Sequence, residues 1–236
     1  MFDPKAITHL TFDCYGTLID WERGILAALQ PMLESHGVKA APATILQLYV
    51  RHEARLEAQE WRSYREILTE VGSAVAQELG IALSTGERDR LPSSLGRWMP
   101  FPDAVPALRR LKQRFRLVIL SNVDDALFAE TAKHLEVAFD EIITAEQVGS
   151  YKPNEAHFRE ALRRLNAPAT QILHVAQSLY HDHVPARRLG FRTAWLKRRS
   201  LLGEMGLAPP VAVKSDLEVA DLELLADGLL THGKET

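Results

Sequence analysis

The stretch Leu10-Thr11-Phe12-Asp13-Cys14-Tyr15-Gly16-Thr17-Leu18-Ile19-Asp20 decides how this chain of 236 residues is read. The apolar run from Ile7 to Phe12 has the pattern of a strand buried on both faces, the kind that sits mid-sheet in α/β domains. It ends on an acid, and the Gly-Thr pair beyond it must turn the chain sharply. A carboxylate at the C-terminal edge of a central parallel strand lies where open α/β sheets bind ligands. Asp13 is placed there to act as a nucleophile or a metal ligand. Taken alone, the same Asp reads better as a cap on the following turn.

Working outward, the pattern changes from strand to helix and stays helical for about eighty residues. Ile25, Leu26, Leu29, Met32 and Leu33 recur at helical spacing until Gly37 stops them. A second helix is expected from about Pro42 to Glu60, and a third carries Ile67, Leu68, Val71, Val75 and Leu79 up to Gly80. A shorter one is expected from about Gly86 to Trp98, closed by Pro100 and Pro102. Strand and helix then alternate, the sign of a parallel sheet built from βαβ units. The expected strands are Arg116–Ser121, Glu141–Ala145, Ile172–Ala176 and Arg192–Leu196, and the tail from Leu217 to Leu230 reads as a closing helix. Gly206-Leu207-Ala208-Pro209-Pro210 reads as a loop.

Composition narrows the function classes. A hydrophobic share of 46% and a charged share of 25% are those of an ordinary globular chain with ample core. A formal charge of -3 gives no reason to expect a nucleic-acid or membrane partner. The single Cys excludes an internal disulfide framework and a multi-thiolate metal site, and fits a reducing compartment. No apolar run approaches the roughly 18–20 residues of a membrane span. Met1-Phe2-Asp3-Pro4-Lys5 lacks a signal-peptide pattern, so a cytoplasmic location is expected.

Three later stretches bear on Asp13. Ser121-Asn122 closes one expected strand, Lys152 lies in Ser150-Tyr151-Lys152-Pro153, and His174-Val175-Ala176-Gln177-Ser178-Leu179-Tyr180-His181-Asp182 runs off another. Together with Asp13-Cys14-Tyr15-Gly16-Thr17 these resemble the four motifs of the haloacid dehalogenase (HAD) superfamily, in order and over nearly the whole chain. The resemblance implies a Rossmann-like α/β core with a parallel sheet, residues 1–19 and 101–236, and an inserted α-helical cap, residues 20–100, that closes over the active site. It implies covalent catalysis by Asp13 for phosphatases and dehalogenases alike.

Two departures choose between those branches. Phosphatases carry a second Asp two positions after the nucleophile to protonate the leaving oxygen; here Tyr15 stands there. Halide leaves without a proton, so the loss of that acid costs dehalogenation nothing. In the fourth motif the first acid of the phosphatase pair is Gln177, and a Mg²⁺ site depends on anionic oxygens. The pattern is similar to the metal-free type II 2-haloacid dehalogenases, so neither metal nor cofactor is expected, and the implied partner is a small carboxylate substrate.

The implied roles follow residue by residue. Lys152 holds Asp13 ionised. Ser121 and Asn122 bind a substrate carboxylate or the departing anion. Asp182 pairs with Lys152 or helps water attack the ester, with Gln177 and Ser178 positioning that water. An Arg from the second cap helix binds the substrate anion; Arg51 is the better match and Arg55 its competitor. At the typical dehalogenase's Asn and aromatic stand Leu179 and His181. This variant of the fourth motif is similar to that of L-azetidine-2-carboxylate hydrolase, which opens a strained C–N ring; His181, with an ordinary pKa near 6.5, would then protonate the amine. His181-Asp182-His183 on one short turn is expected to diverge rather than form a metal cluster. A homodimer is what the resemblance suggests.

Overall fold

The computed structural model describes residues 3–203 and 209–231, so Gly206, Leu207 and Ala208 of the expected loop lie outside the described residues. At its centre is β1 (His9–Phe12), buried along its whole length. Parallel strands flank it on both sides: Leu10 stands opposite Leu117 of β2 (Arg116–Ser121) and opposite Leu173 of β4 (Ile172–Ala176). With β3 (Glu141–Thr144), β5 (Arg192–Leu196) and β6 (Leu217–Val219) the sheet has six parallel strands in the order β3-β2-β1-β4-β5-β6. This order reverses its direction of winding between β1 and β4, and ligands bind at such a switch point, beyond the carboxyl ends of the strands.

Why β1 takes the middle follows from its side chains. Leu10 and Phe12 are wholly buried, each worth roughly 1.5–3 kcal/mol of burial. Thr11 is buried too, its hydroxyl within 2.9 Å of Nδ1 of its register partner His174 on β4. Past Asp13 the chain doubles back. Gly16 has φ +93°, its N–H donates to the Ile19 carbonyl at 2.9 Å, and a Cβ there would meet the Trp21 ring.

The helical stretch forms between β1 and β2, as expected. Helix α1 (Trp21–Ser35) starts at Asp20, whose side chain accepts from the Arg23 N–H. Helix α2 (Pro42–Glu57) starts on a proline, and α3 (Tyr64–Glu78) starts on a Ser63–Glu66 capping box. Asp124, beyond β2, accepts the N–H groups of Tyr64 and Arg65 at 2.7 and 2.8 Å. The helix N-terminus is thereby pinned to the sheet by its own orphan donors. The Tyr151 hydroxyl adds a bond to the Arg62 carbonyl at 2.7 Å.

Two expectations are corrected. Residues 86–98 are not one helix: α4 (Thr85–Arg88) is a single turn, and Pro92 starts a separate 3-10 segment, Pro92–Arg97. The tail is not one helix either, because Leu217–Val219 pairs with β5 as the sheet's edge before the closing helix. The remaining helices, α5 (Ala104–Leu111), α6 (Asp125–Leu135), α7 (Ala145–Val148), α8 (Ala156–Leu165), α9 (Val184–Arg188) and α10 (Leu222–Thr231), connect or follow strands and bury apolar stripes.

Gly24 of α1 lies against the indole of Trp98; a Cβ built there would fall 2.3 Å from the ring. Gly24→Ala gains about 1 kcal/mol of helix propensity but overpacks the ring, at a cost of about 1–3 kcal/mol or more. The clash involves a stiff indole held by a 3.0 Å bond to Ser94, so net destabilisation is expected in urea unfolding. A variant as stable as the parent would contradict this packing.

Candidate active site

A cavity of about 360 Å³ opens beyond the carboxyl ends of β1, β2 and β4 and reaches up to α2 and α3. Asp13, Tyr15, Asn122, Lys152, Gln177, Ser178, His181 and Asp182 all line it. The four motif stretches, spread over 170 residues of chain, therefore converge on one space. The sheet is the reason, since each follows a strand that ends on the same edge.

Lys152 organises the floor. Its ammonium donates to Asp13 Oδ1 at 2.8 Å, to Asp182 Oδ1 at 2.7 Å and to the Leu120 carbonyl at 2.9 Å, which uses all three of its protons. Burial opposes charge on Lys152, but the two carboxylates outweigh it and hold the ammonium above its ordinary value. The carboxylates do not share it equally. Asp182 also takes a bond from His174 Nε2 at 3.0 Å; against burial, Lys152 and His174 together hold it well below the usual carboxylate range. Asp13 is raised instead, because burial and the neighbouring Asp182 outweigh Lys152 and the Thr17 hydroxyl, which donates to Asp13 Oδ2 at 2.8 Å. A raised carboxylate is a more basic, hence stronger, nucleophile, and Lys152 and Thr17 leave it in one orientation.

Thr17 and His174 were not singled out from sequence. Thr17 Oγ also accepts the Gln177 N–H at 3.0 Å and so ties the first motif to the fourth. Its place four residues after Asp13 in a tight turn was the available signal. Nothing in the spacing marks His174, whose role arises from the cross-strand pairing with Thr11.

Other residues stand differently from expectation. Arg51 is an outward residue of α2, its side chain 58% exposed and paired with Glu78. Arg55 is exposed as well. Residues four apart share a helix face, and the face of α2 toward the cavity is Tyr49, Glu53 and Glu57; Arg51, two positions from Tyr49, points away. Among the described residues lining the cavity, Lys152 is the only Lys or Arg. Asn122 lines the cavity, but its amide is engaged: Nδ2 donates to the Lys152 carbonyl at 3.2 Å and Oδ1 accepts the Lys152 N–H at 2.8 Å. Its side chain fastens the lysine loop rather than standing free for an anion. Ser121 is fully buried outside the lining, with its hydroxyl unpartnered among the described residues.

Tyr15 donates to or accepts from Thr131 Oγ at 2.8 Å and meets Trp98 edge-on at 5.9 Å. Burial keeps its hydroxyl protonated far above neutrality. The turn Leu179–His183 is a π turn capped by Ser178. His181 faces the cavity with Nδ1 at 3.0 Å from Ser178 Oγ, and burial lowers it, so the imidazole is neutral at neutral pH. That is opposite to the protonated donor expected. His183 turns away to the Ala176 carbonyl and Ser215, so the His-Asp-His run does diverge. Among the described residues no three His, Cys, Asp or Glu side chains gather as a metal cage. The two motif acids already face an ammonium and Gln177 is neutral, a poor donor set for a hard divalent cation.

A buried, lysine-paired aspartate in a cavity at the switch point of a parallel sheet defines an α/β enzyme with a carboxylate at its centre. The chain belongs to the haloacid dehalogenase-like hydrolase family, whose model matches residues 7–182. It is 26% identical to the (S)-2-haloacid dehalogenase of Pseudomonas sp. (strain YL) over 96% of this chain and 99% of that one. It is 30% identical to the phosphoglycolate phosphatase of Neisseria gonorrhoeae over 78% of this chain and 79% of that one. One solved L-2-haloacid dehalogenase superposes with a TM-score of 0.77 at 26% identity, covering 94% of this chain and 99% of its own. Another, from Xanthobacter autotrophicus with chloropropionic acid covalently bound, shares the fold: TM-score 0.79, 18% identity, coverage 98% and 100%.

Removing the cation tests the floor. In Lys152→Met, Asp13 and Asp182 face each other unpaired, and loss of an opposite charge at hydrogen-bond distance raises a carboxyl by about 1–3 units. Turnover that needs ionised Asp13 falls as pH drops through its pKa. The acid limb of the variant's pH–rate profile is therefore expected to move up by about 1–3 pH units. An unmoved limb would show that Lys152 does not set the state of Asp13.

Proposed function

We propose that this enzyme hydrolyses the bond between the alpha carbon and the substituent of a small 2-substituted carboxylic acid, through an ester on Asp13. An (S)-2-haloacid such as L-2-chloropropionate is the first substrate to test. The observation that carries the reading is Asp13 held by Lys152 at the cavity floor, with Tyr15 tied to Thr131 where a leaving-group acid would stand. In the first step an Asp13 oxygen attacks the alpha carbon from the side opposite the halide. The C–O bond forms, the halide leaves with the bonding pair, and the centre inverts. In the second step water attacks the Asp13 carboxyl carbon; the 2-hydroxy acid departs, Asp13 is restored and one proton is released.

Asp182, already bonded to Lys152 and His174, is assigned to orient Lys152. The neutral imidazole of His181 is better suited to take the released proton. The helical insertion serves as a cap over this space, and Gln177 in place of an acid, with Lys152 between Asp13 and Asp182, favours chemistry without a metal. Ring opening of L-azetidine-2-carboxylate is the second reading, favoured by the acidic face of α2. A homodimer accompanies both readings on the family resemblance, and a cytoplasmic location on composition.

Chloride release from L-2-chloropropionate in excess EDTA tests the reading. Steady release is expected from the parent, none from Asp13→Ala, and a measurable rate from Tyr15→Phe. A single turnover in H₂¹⁸O places the label first in the Asp13 carboxylate, seen by mass spectrometry of its peptide; label only in the product would end the ester route. His181→Phe is expected to slow the second step more than the first, so that alkylated Asp13 accumulates. Equal slowing of both steps would take the water's proton away from His181.

A further inference from the structure

The cap-side wall of the cavity has a chemistry that a simple haloacid anion does not use. Glu53 and Glu57, one turn apart on α2, line it on the face where an arginine was expected. Glu53 is built into position: its Oε1 accepts the Tyr49 hydroxyl at 2.8 Å and the Tyr64 hydroxyl at 2.5 Å, and the two hydroxyls lie 3.0 Å apart. Glu57 shares the lining with Asn122, which fastens the loop that carries Lys152. With Asp13 and Asp182, four carboxyl groups among the described residues line a space whose one described Lys or Arg, Lys152, has no free proton to offer. Aromatic faces stand among them. Trp21 and Tyr49 pack at 5.8 Å and Tyr64 and Tyr151 at 6.3 Å, all four lining the cavity.

Carboxylates together with aromatic rings lining one small cavity are the surroundings that bind organic ammonium groups, by ion pairing and by the negative faces of the rings. An anion brought to the same wall meets two carboxyl groups that supply it no counter-charge. We infer that Glu53 and Glu57 are specificity-determining residues which select a 2-substituted carboxylic acid that also carries a protonated amine. This rests on the reading of Asp13 as the nucleophile of this cavity, and it names the substrate class within that reading. Tyr49 and Tyr64 position Glu53.

The test uses two ring acids of nearly one shape that differ in a single charge: L-azetidine-2-carboxylate and cyclobutanecarboxylate. Both are titrated calorimetrically into Asp13→Asn protein, which cannot form the ester. The azetidine is expected to bind at least about tenfold tighter, and Glu57→Gln or Glu53→Gln in the same background to bring the two rings within about twofold. Equal affinities, no measurable binding of either ring, or a preference untouched by both Gln variants would overturn the inference. Should a Gln variant fail to fold, the ring comparison in the Asp13→Asn protein still decides. The ¹⁸O experiment on Asp13 reads the other claim separately: no label there removes the ester mechanism while leaving the ring preference to stand or fall by itself.

Discussion

One buried ammonium between two carboxylates is the constraint on which the site depends. An isolated charge at this depth would cost several kcal/mol, so Lys152 is tolerable only because Asp13, Asp182 and the Leu120 carbonyl surround it. The debt runs the other way as well: without Lys152 the two acids would not both stay ionised at such proximity. Geometry then breaks the symmetry. Asp182 has His174 behind it and takes the firmer share, while Asp13 is left with a hydroxyl from Thr17 and a raised affinity for protons. The result is one inert counter-ion and one basic carboxylate facing the cavity.

This arrangement needs strands that end together. Asp13 follows β1, Asn122 follows β2 and Gln177 follows β4, and the three are adjacent only because the winding reverses between β1 and β4. Lys152 comes from further along the chain, and Asn122 holds it by a two-way backbone clasp. Thr17 links the β1 turn to the β4 turn in the same manner. The helical insertion is tied in by Asp124 and Tyr151, so the wall bearing Glu53 and Glu57 faces the floor at a defined place.

Much of this was legible in the sequence. The buried strand before Asp13, the helical stretch after it and the strand–helix alternation from residue 103 onward are strong periodic signals, and five of the six strands stand where they were expected. The edge strand Leu217–Val219 was missed because three residues carry too little pattern to separate from the helix behind them. Pro92 divides a segment whose apolar spacing alone reads as continuous helix. Asp13, Asn122 and Gln177 were readable because each follows a strand end, and Lys152 through its motif; their hydrogen-bond partners were not, since Thr11 meets His174 only through sheet register. Arg51 shows the limit of motif transfer. A helix places a residue by phase, and a phase that turns Tyr49, Glu53 and Glu57 inward turns Arg51 out to Glu78.

That phase matters more than the loss of one arginine. Trading a cation for two acids on the same wall removes the counter-charge an anionic substrate would meet, and partly buried charges act with less screening than exposed ones. Burial raises both Glu53 and Glu57 above the usual carboxylate range. An empty wall of this kind therefore resists ionising, and a bound ammonium relieves that resistance by supplying the missing counter-charge. The floor is already electrically satisfied by Lys152, so a cation's gain lies at the wall formed by α2. Nucleophile and selector thus come from different parts of the chain: the sheet supplies a chemistry shared with haloacid dehalogenase-like relatives, and the register of one inserted helix decides which small acid is offered to it.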